Sequence, residues 1–242
     1  MLSGFYWGVF ENILTRRTTA LEWILSFVLC CMYETWMSIH SPLAYTMTAI
    51  FVIAYLISSV VWTPLYFKVE PHITSTLMVN LFVILPLCNV LVEPIVKVDN
   101  AKTNLVIGIE LVVMMFVYEV MFGVAHYMMH KYGVQIHKVH HEFHELVGLT
   151  ALYTHPLELL CVQYPSAIGG ILCLLYWQGH VHYWSLCIWS LLMPISLVWT
   201  HSSGVSSKWD VLKLREFHLQ HHKTPTRCFG TFSFVDALLG TR

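Results

Sequence analysis

Long apolar stretches separated by short polar ones dominate the chain and predict helices that cross a membrane. Segments long enough to span roughly 30 Å of hydrocarbon lie at about 20–37, 42–66, 73–92, 103–124, 157–177 and 182–200. The first is the weakest, because it is short and contains Glu22 and Glu34; it could lie in the membrane interface instead. No internal repeat or flexible linker interrupts the pattern. We therefore predict an all-α integral membrane protein, a multi-span helical bundle forming one domain over residues 1–242.

Composition supports this class and excludes others. The chain is 57% hydrophobic and 11% charged, whereas about a quarter of the residues of soluble domains are charged. A net charge of −1 without a basic stripe excludes nucleic acid as a partner. No cysteines have the paired spacing of a zinc ribbon, so we expect them to be small buried residues. Residues 1–19 lack a basic start leading into a short apolar core, and we expect no cleavable signal peptide.

The lysines and arginines predict which side of the bundle faces the cytosol. If the amino terminus is cytosolic, six crossings place residues 1–19, 67–72, 125–156 and 201–242 on one side. Eleven of the thirteen basic residues then lie on that side, and the opposite side has Lys97 and Lys102. An excess of Lys and Arg is typical of cytosolic loops. We therefore expect the segments that follow the fourth and sixth spans to face the cytosol.

Histidines are concentrated in those same segments. An HxxxH sequence is followed by two HxxHH sequences, formed by His126 and His130, by His137, His140 and His141, and by His218, His221 and His222. We expect the helix of the fourth span to continue past the membrane surface and to carry His126 and His130 on one face. Residues three and four apart are neighbours on a helix, so we also expect each HxxHH to direct three imidazoles to one side. Neutral imidazole is the commonest metal ligand. Eight histidines exceed the number that can coordinate one ion, which predicts a dinuclear site. All-nitrogen ligation is compatible with iron, copper and zinc, so spacing does not identify the metal.

Two carboxylates within the fourth span need an explanation, because an unpaired charge in hydrocarbon is costly. Glu119 precedes His126 by seven residues, within about 20° of the same helical face. It could hold a ligand imidazole by its second nitrogen; the alternative is an interhelical hydrogen bond. Glu110 is too distant and is expected to serve packing or to be a protonated buried carboxyl. Ordinary surface or interface positions are expected for the remaining histidines considered, which are His40, His72, His144, His180 and His182.

More residues than the histidines match one family. The segments IHKVHHEF (136–143), YTHPLELL (153–160), THSSG (200–204) and GTFSFVDALLGT (230–241) follow in that order. Together they resemble the fatty acid hydroxylase / sterol desaturase superfamily of membrane di-iron enzymes, and look most like its sterol 4-methyl oxidase (methylsterol monooxygenase) branch. The resemblance covers a catalytic region at about 115–242. It implies as metal ligands His126, His130, His137, His140, His141, His218, His221 and His222, with His201 as a ninth and His155 as a tenth.

The resemblance also implies an activity. Two iron ions would use O2 to oxidise an unactivated C–H bond of a lipid, most closely in sterol 4-methyl oxidation during sterol biosynthesis. Electrons would come from NAD(P)H through an external donor such as cytochrome b5 and its reductase, because the chain has no flavin or nicotinamide glycine fingerprint. The implied location is the endoplasmic reticulum, with a histidine-rich helical cap holding the metal site on the cytosolic face.

Several other functions remain compatible with the sequence. Sterol C-5 desaturation, fatty-acyl or sphingolipid hydroxylation and long-chain aldehyde chemistry would use the same centre. The family's asparagine-tyrosine-glycine after the last histidines is replaced by Cys228, Phe229 and Gly230, and its tryptophan by Val235. The interval from His201 to His218 is also shorter than in typical sterol oxidases. These differences are compatible with another lipid as the substrate. A metal transporter, whose sites should lie near the bilayer midplane, and an inactive lipid-binding relative are alternatives of another class.

Overall fold

Five long helices form the bundle within the part of the chain that the computed structural model describes, which is residues 39–64, 67, 69–101, 103–143, 146–204, 210 and 213–242. These helices are α1 (Pro42–Trp62), α2 (Pro71–Ile95), α3 (Asn104–Lys131), α4 (Pro156–Gln178) and α5 (Tyr183–Thr200). Each is long and apolar enough to cross a membrane. The prediction of an all-α multi-pass membrane protein is therefore confirmed. The weak segment at 20–37 lies outside the described residues.

The end of α1 differs from the predicted span, whereas α3 ends as expected. α1 ends at Trp62 instead of near residue 66, because Thr63 precedes Pro64 and is extended; the residue before a proline disfavours the helical conformation. α3 continues without interruption beyond its apolar span to Lys131, which confirms the helix expected to carry His126 and His130. Its 28 residues measure about 42 Å at 1.5 Å each. The last two turns of α3 therefore extend beyond the hydrocarbon.

The helices pack in two main pairs, α1 along α5 and α3 along α4. The α3–α4 contact depends on Gly170, where an added Cβ atom would come within 2.4 Å of the Cα atom of Met114. Small residues allow the backbones of membrane helices to approach closely, which increases their van der Waals contact. Gly170 therefore sets the distance between α3 and α4.

Substitution of Gly170 by alanine is expected to destabilise the bundle by about 1–3 kcal/mol, the usual cost of overpacking. Gly108→Ala is the matched control on α3, since no atom lies within 4 Å of its added Cβ atom. That variant should match or slightly exceed the wild-type stability, because alanine favours helix more than glycine does. Thermal denaturation of the purified protein in detergent measures both; equal midpoints for the two variants would contradict the close approach.

One end of the bundle is held together by Glu110. Strands β1 (Val98–Asp99) and β2 (Val181–His182) pair in parallel there. The buried carboxylate of Glu110 accepts hydrogen bonds from the Gln178 side chain, the His182 backbone N–H and the Ser185 hydroxyl. These donors lie at the end of α4, in β2 and in α5. Glu110 thus has the packing role expected for it, and it lies at the end of α3 away from the histidines.

Side chains of α1 and α2 support a buried segment at the opposite end. The turn Gly148–Leu152 is a short 3-10 helix whose residues are largely buried. The Tyr55 hydroxyl donates to the Leu149 carbonyl, and the Asn80 side chain donates to the carbonyls of Leu152 and Thr154. Helices outside the region of family resemblance therefore position the segment that connects the second histidine sequence to α4.

Candidate metal centre

Nine of the ten histidines predicted as ligands come together in two groups at this end of the bundle. The five-histidine group contains His126, His130, His137, His141 and His221. The four-histidine group contains His140, His201, His218 and His222. Within each group, one nitrogen from every residue lies within 4.8 Å of the corresponding nitrogens of the others. Each group is therefore compact enough to surround one metal ion.

The Nε2 atoms face one another closely in both groups. His137 Nε2 lies 3.0 Å from His130 Nε2 and 3.0 Å from His141 Nε2. In the four-histidine group, His201 Nε2 lies 3.3 Å from His140 Nε2 and 3.1 Å from His218 Nε2. Short distances between like atoms of several rings indicate that the rings are arranged around shared centres.

Each HxxHH sequence supplies both groups, while its three imidazoles face one side as predicted: the ring centroids of His218, His221 and His222 lie 4.8–6.1 Å apart. His218 and His222 belong to one group and His221 to the other. Successive residues of an α-helix point about 100° apart, which separates His221 from His222 on the helix α6 (Leu214–Lys223). His137 and His141 likewise separate from His140. This segment consists of 3-10 turns, Gln135–Lys138 and His140–Glu142, and not of an α-helix.

Backbone carbonyls fix the proton positions of three rings. A carbonyl oxygen only accepts, so the facing Nδ1 must carry the proton and Nε2 must present a lone pair. The three Nδ1–H donors are His126 to Phe229 at 2.8 Å, His221 to Arg227 at 2.7 Å and His201 to Leu197 at 2.8 Å. Converging lone pairs repel one another unless a cation lies between them. The ring tautomers therefore favour metal binding.

Unpartnered buried nitrogens point to the same conclusion. His126 Nε2 and both ring nitrogens of His222 are buried without a hydrogen-bond partner. A buried polar atom left unpaired costs about 1–3 kcal/mol. Coordination to a metal ion would satisfy such atoms, and imidazole nitrogen suits iron, copper or zinc. The residues of both groups thus fit a dinuclear metal centre.

Burial keeps five of these imidazoles neutral at physiological pH. It lowers the pKa of His201 and of His221 to about 4, and that of His141 to about 2. Burial, with a contribution from neighbouring histidines, also holds the pKa values of His140 and His218 well below their ordinary range. A neutral ring keeps a lone pair available for a metal. Metal binding at neutral pH therefore displaces few protons from these residues.

Glu158 is a site residue that the sequence reasoning missed. Its carboxylate oxygen Oε1 accepts the Nδ1–H of His137 at 3.0 Å, and the side chain is almost completely buried. A carboxylate in this position orients a ligand ring and makes it more basic. The sequence signal for Glu158 was its position directly before the apolar run 159–162. It lies in the HPLE element, from which the histidine was predicted as a ligand.

His155, predicted as a tenth ligand, lies outside both groups. Its Nδ1 accepts the backbone N–H of Leu157 at 3.2 Å, and Pro156 occupies the first position of α4. The first N–H groups of a helix have no partner within the helix and are commonly capped by a side chain. The ring of His155 therefore caps α4.

Glu119 does not hold a ligand imidazole, contrary to the prediction. Its Oε2 accepts the backbone N–H groups of Thr231 at 2.7 Å and Phe232 at 3.1 Å. Seven residues separate it from His126, which is about 10 Å along the helix axis, so a shared helical face does not bring the two side chains together. Glu119 instead anchors the C-terminal segment, from which the carbonyl of Phe229 reaches His126.

Asp236 organises that C-terminal segment from α7 (Phe234–Leu239). Its completely buried carboxylate accepts the N–H groups of Phe229 at 2.7 Å and Gly230 at 2.8 Å, and the Thr241 hydroxyl at 2.7 Å. These bonds fix the turn that carries the Phe229 carbonyl. Asp236 therefore contributes to the site through the backbone that it holds.

The two histidine groups have different surroundings. A cavity of about 30 Å³ adjoins the four-histidine group and is lined in part by Phe122, Met193 and Leu197. Phe122 and Leu197 each lie one turn before a ligand candidate, on the membrane side of it. A wider cleft of about 400 Å³ adjoins the five-histidine group and His222, and it is bordered by Lys138 and Lys223. One group thus adjoins a small cavity, and the other a wider and more open cleft.

Comparisons with known proteins match the region that contains both groups. The family model described as fatty acid hydroxylase matches residues 111–241. Fatty acid hydroxylase domain-containing protein 2 of Macaca fascicularis is 30% identical over 135 residues, covering 55% of this chain and 38% of that protein. Methylsterol monooxygenase 1-3 of Arabidopsis thaliana is 28% identical over 149 residues, covering 54% and 48%.

The names of a third group of relatives indicate a different lipid class. Very-long-chain aldehyde decarbonylase GL1-8 of Oryza sativa subsp. indica is 33% identical over 116 residues, covering 44% of this chain and 41% of that protein. The matches thus span between about two fifths and one half of the length of these relatives. No solved structure gives a significant match.

Proposed function

This chain belongs to the fatty acid hydroxylase family, and we propose on that basis that it is a membrane non-haem di-iron oxidoreductase. It uses O2 to oxidise an unactivated C–H bond of a lipid. The observation that carries the proposal is the pair of histidine groups at the end of a membrane bundle, beside a cavity that Phe122, Met193 and Leu197 line in part. Two bound iron ions would supply the redox chemistry with O2 that amino-acid side chains lack.

The residues of the chain hold and shield such a centre. The nine grouped histidines are the ligands, and the carbonyls of Leu197, Arg227 and Phe229 fix three of their rings. Glu158 orients His137. The small size of the cavity limits the access of water to the reacting carbon, which protects reactive species from side reactions.

We assign the lipid to the four-histidine side of the centre. A lipid lying in the bilayer can reach the cavity between α3 and α5, where Phe122 and Met193 offer apolar contacts beside His140 and His201. The cavity is small, so the side chains that line it must move to admit a substrate. The cleft beside the five-histidine group is bordered by lysines, and we assign electron delivery to that side.

Sterol 4-methyl oxidation in sterol biosynthesis is the reaction we propose first. The order of the HKVHHEF, HPLE, HSSG and C-terminal segments resembles the sterol 4-methyl oxidase branch, and methylsterol monooxygenase 1-3 is among the similar proteins. Iron as the metal, two ions per chain, and electrons from NAD(P)H through cytochrome b5 follow from the same assignment. The histidine groups lie at helix ends and not at mid-helix, which favours an enzyme over a transporter.

A second candidate substrate is a long-chain aldehyde. Very-long-chain aldehyde decarbonylase GL1-8 shares 33% identity with this chain over 116 residues. The same histidine groups would serve that reaction, and the replacements at Cys228 and Val235 lie in the segment where the sterol resemblance is weaker.

We also propose that the site faces the cytosol of the endoplasmic reticulum. Among the described residues, Lys131, Lys138, Lys223 and Arg227 lie in segments at the histidine end and are exposed. Lys97 lies at the opposite end, next to β1. This asymmetry is typical of proteins whose basic loops remain in the cytosol.

Lipid profiling tests the proposed substrate. The wild-type chain and a His218→Ala variant would be produced in cells that lack sterol 4-methyl oxidase activity, and their sterols and long-chain aldehydes compared by mass spectrometry. We expect 4-methyl sterols to decrease only with the wild type. A change confined to aldehydes and their products would support the second candidate, and identical profiles in both cells would contradict both.

A further inference from the structure

A π-helical turn in α4 places Gln163 above Glu158. The turn covers Leu159–Gln163, and the N–H of Tyr164 bonds to the carbonyl of Leu159. Residues five apart in an α-helix point about 140° apart, whereas a π turn bonds residues five apart and brings them to the same side. The Gln163 side chain consequently donates to Glu158 Oε1 at 3.1 Å.

That oxygen is the same atom that holds a metal-ligand candidate. Glu158 Oε1 also accepts the Nδ1–H of His137, at 3.0 Å. Gln163 is held in turn by a longer contact to the Thr154 hydroxyl, at 3.4 Å. An unbroken chain of hydrogen bonds therefore leads from Gln163 through Glu158 to the ring of His137.

We propose that Gln163 is a positioning residue for the five-histidine group, which fixes the Glu158 carboxylate in the orientation that holds His137. This inference rests on the metal centre of the proposed function and not on the identity of the lipid. π-helical turns interrupt regular helices at a cost and occur frequently at functional sites. The turn in α4 has such a use, because a regular α-helix would direct Gln163 away from Glu158.

The position of Gln163 gives it a second contact. It lines the cavity beside His140, His201 and His218, while its hydrogen bonds lead to a ligand of the other group. One amide therefore lies between the lipid cavity and the five-histidine group. A molecule entering the cavity would contact the residue that orients His137.

Loss of the amide should loosen Glu158. Its Oε2 is already buried without a partner, so without Gln163 the carboxylate would keep only the bond from His137 among its side-chain partners. Replacement of groups that orient metal ligands lowers metal affinity by about 10–100-fold. Gln163 is one hydrogen bond further from the metal ligand His137 than Glu158 is. We therefore expect the smaller loss of metal affinity, about tenfold.

The test is a titration of metal-free, full-length protein in detergent with Co²⁺, followed by visible absorption. We expect two binding events in the wild type. In Gln163→Met, which keeps the side-chain length and removes the donor, one event should weaken about tenfold and its absorption band should shift. The other event should remain within about twofold of the wild type. Met193→Leu, which changes the same cavity without touching the hydrogen-bond chain, should alter neither event.

Three outcomes would overturn the inference. They are unchanged Co²⁺ binding in Gln163→Met, an equal weakening of both events, and the same loss in Met193→Leu. A Glu158→Met variant and the double variant provide a further check, because residues that act through one another are not additive. The double variant should bind Co²⁺ like Glu158→Met alone, and additive losses would contradict the chain. None of these readouts depends on lipid turnover, so failure of the proposed substrate would leave the result intact.

Discussion

Alanine substitution of His140 or of His221 is expected to abolish lipid oxidation while the protein still inserts into the membrane. The two residues belong to different groups, so each variant should lose one ion and retain the other. Loss of a direct ligand should exceed the 10–100-fold effect of outer hydrogen-bond partners, so we expect a decrease in turnover of more than about 100-fold. Product formation and metal content, measured on protein recovered from membranes, report the two effects separately.

His180→Ala provides the control for these variants. His180 lies at the opposite end of the bundle, where its ring is 3.4 Å from Asp99 and both side chains are partly exposed. Exposed ion pairs contribute little, so turnover and metal content should stay close to wild type. Retained activity in both His140→Ala and His221→Ala would contradict the ligand assignment, and an inactive His180 variant would contradict the location of the centre.

Asp236→Ala is expected to destabilise the protein and to weaken the five-histidine group together. The substitution leaves the N–H groups of Phe229 and Gly230 and the Thr241 hydroxyl without their buried acceptor. Each unsatisfied buried group costs about 1–3 kcal/mol, so a loss of about 3 kcal/mol or more is expected. The Phe229 carbonyl would then no longer be fixed against His126. A lower thermal midpoint in detergent and loss of one bound ion are the measurements.

Thr241→Val is a milder test of the same hydrogen bonds to Asp236. It removes one of the three hydrogen bonds and retains the carboxylate, so it should cost about 1 kcal/mol and leave both ions bound. If Asp236→Ala were no less stable than Thr241→Val, or if it kept both ions at wild-type affinity, the role of Asp236 in organising the C-terminal segment would be contradicted.

The helices and the membrane class could be predicted because they depend on local composition. Apolar runs of sufficient length identify spans regardless of how the helices pack. The helix ends were predicted less completely: the continuation of α3 to Lys131 was expected, whereas α1 ends before Pro64 and not with its apolar run. Sequence also could not indicate that Gly170 lies against Met114, since glycines in membrane helices are common.

Eight of the grouped histidines could be predicted from spacing and His201 from the family resemblance, whereas their division between two groups could not be predicted. Spacing indicates which side chains are neighbours within one helix or turn. It does not indicate which residues from other parts of the chain lie beside them. His140 joins His201 and His218, and His221 joins His126, only because the segments meet in three dimensions. His155 had the right residue type but was needed to cap α4.

The hydrogen-bond partners of the imidazoles were the part of the site that the sequence predicted least well. Carbonyls at Leu197, Arg227 and Phe229 belong to the backbone and leave no trace in residue type. Glu119 was predicted from its helical face, but the distance along α3 excluded it, and Glu158 reaches His137 from another helix. Cys228 has a φ of 61°, a conformation that asparagine adopts more readily than cysteine, so the family's usual residue suits this turn better than the one present.

The number of iron ions per chain tests the central claim most directly. The full-length protein would be purified in detergent, loaded with Fe²⁺ without oxygen, freed of loosely bound metal and analysed for iron and protein together. Two histidine groups that each surround an ion predict two tightly bound irons per chain, and one in His140→Ala or His221→Ala. One iron or fewer in the wild type, or two in both variants, would contradict a dinuclear centre built from these histidines.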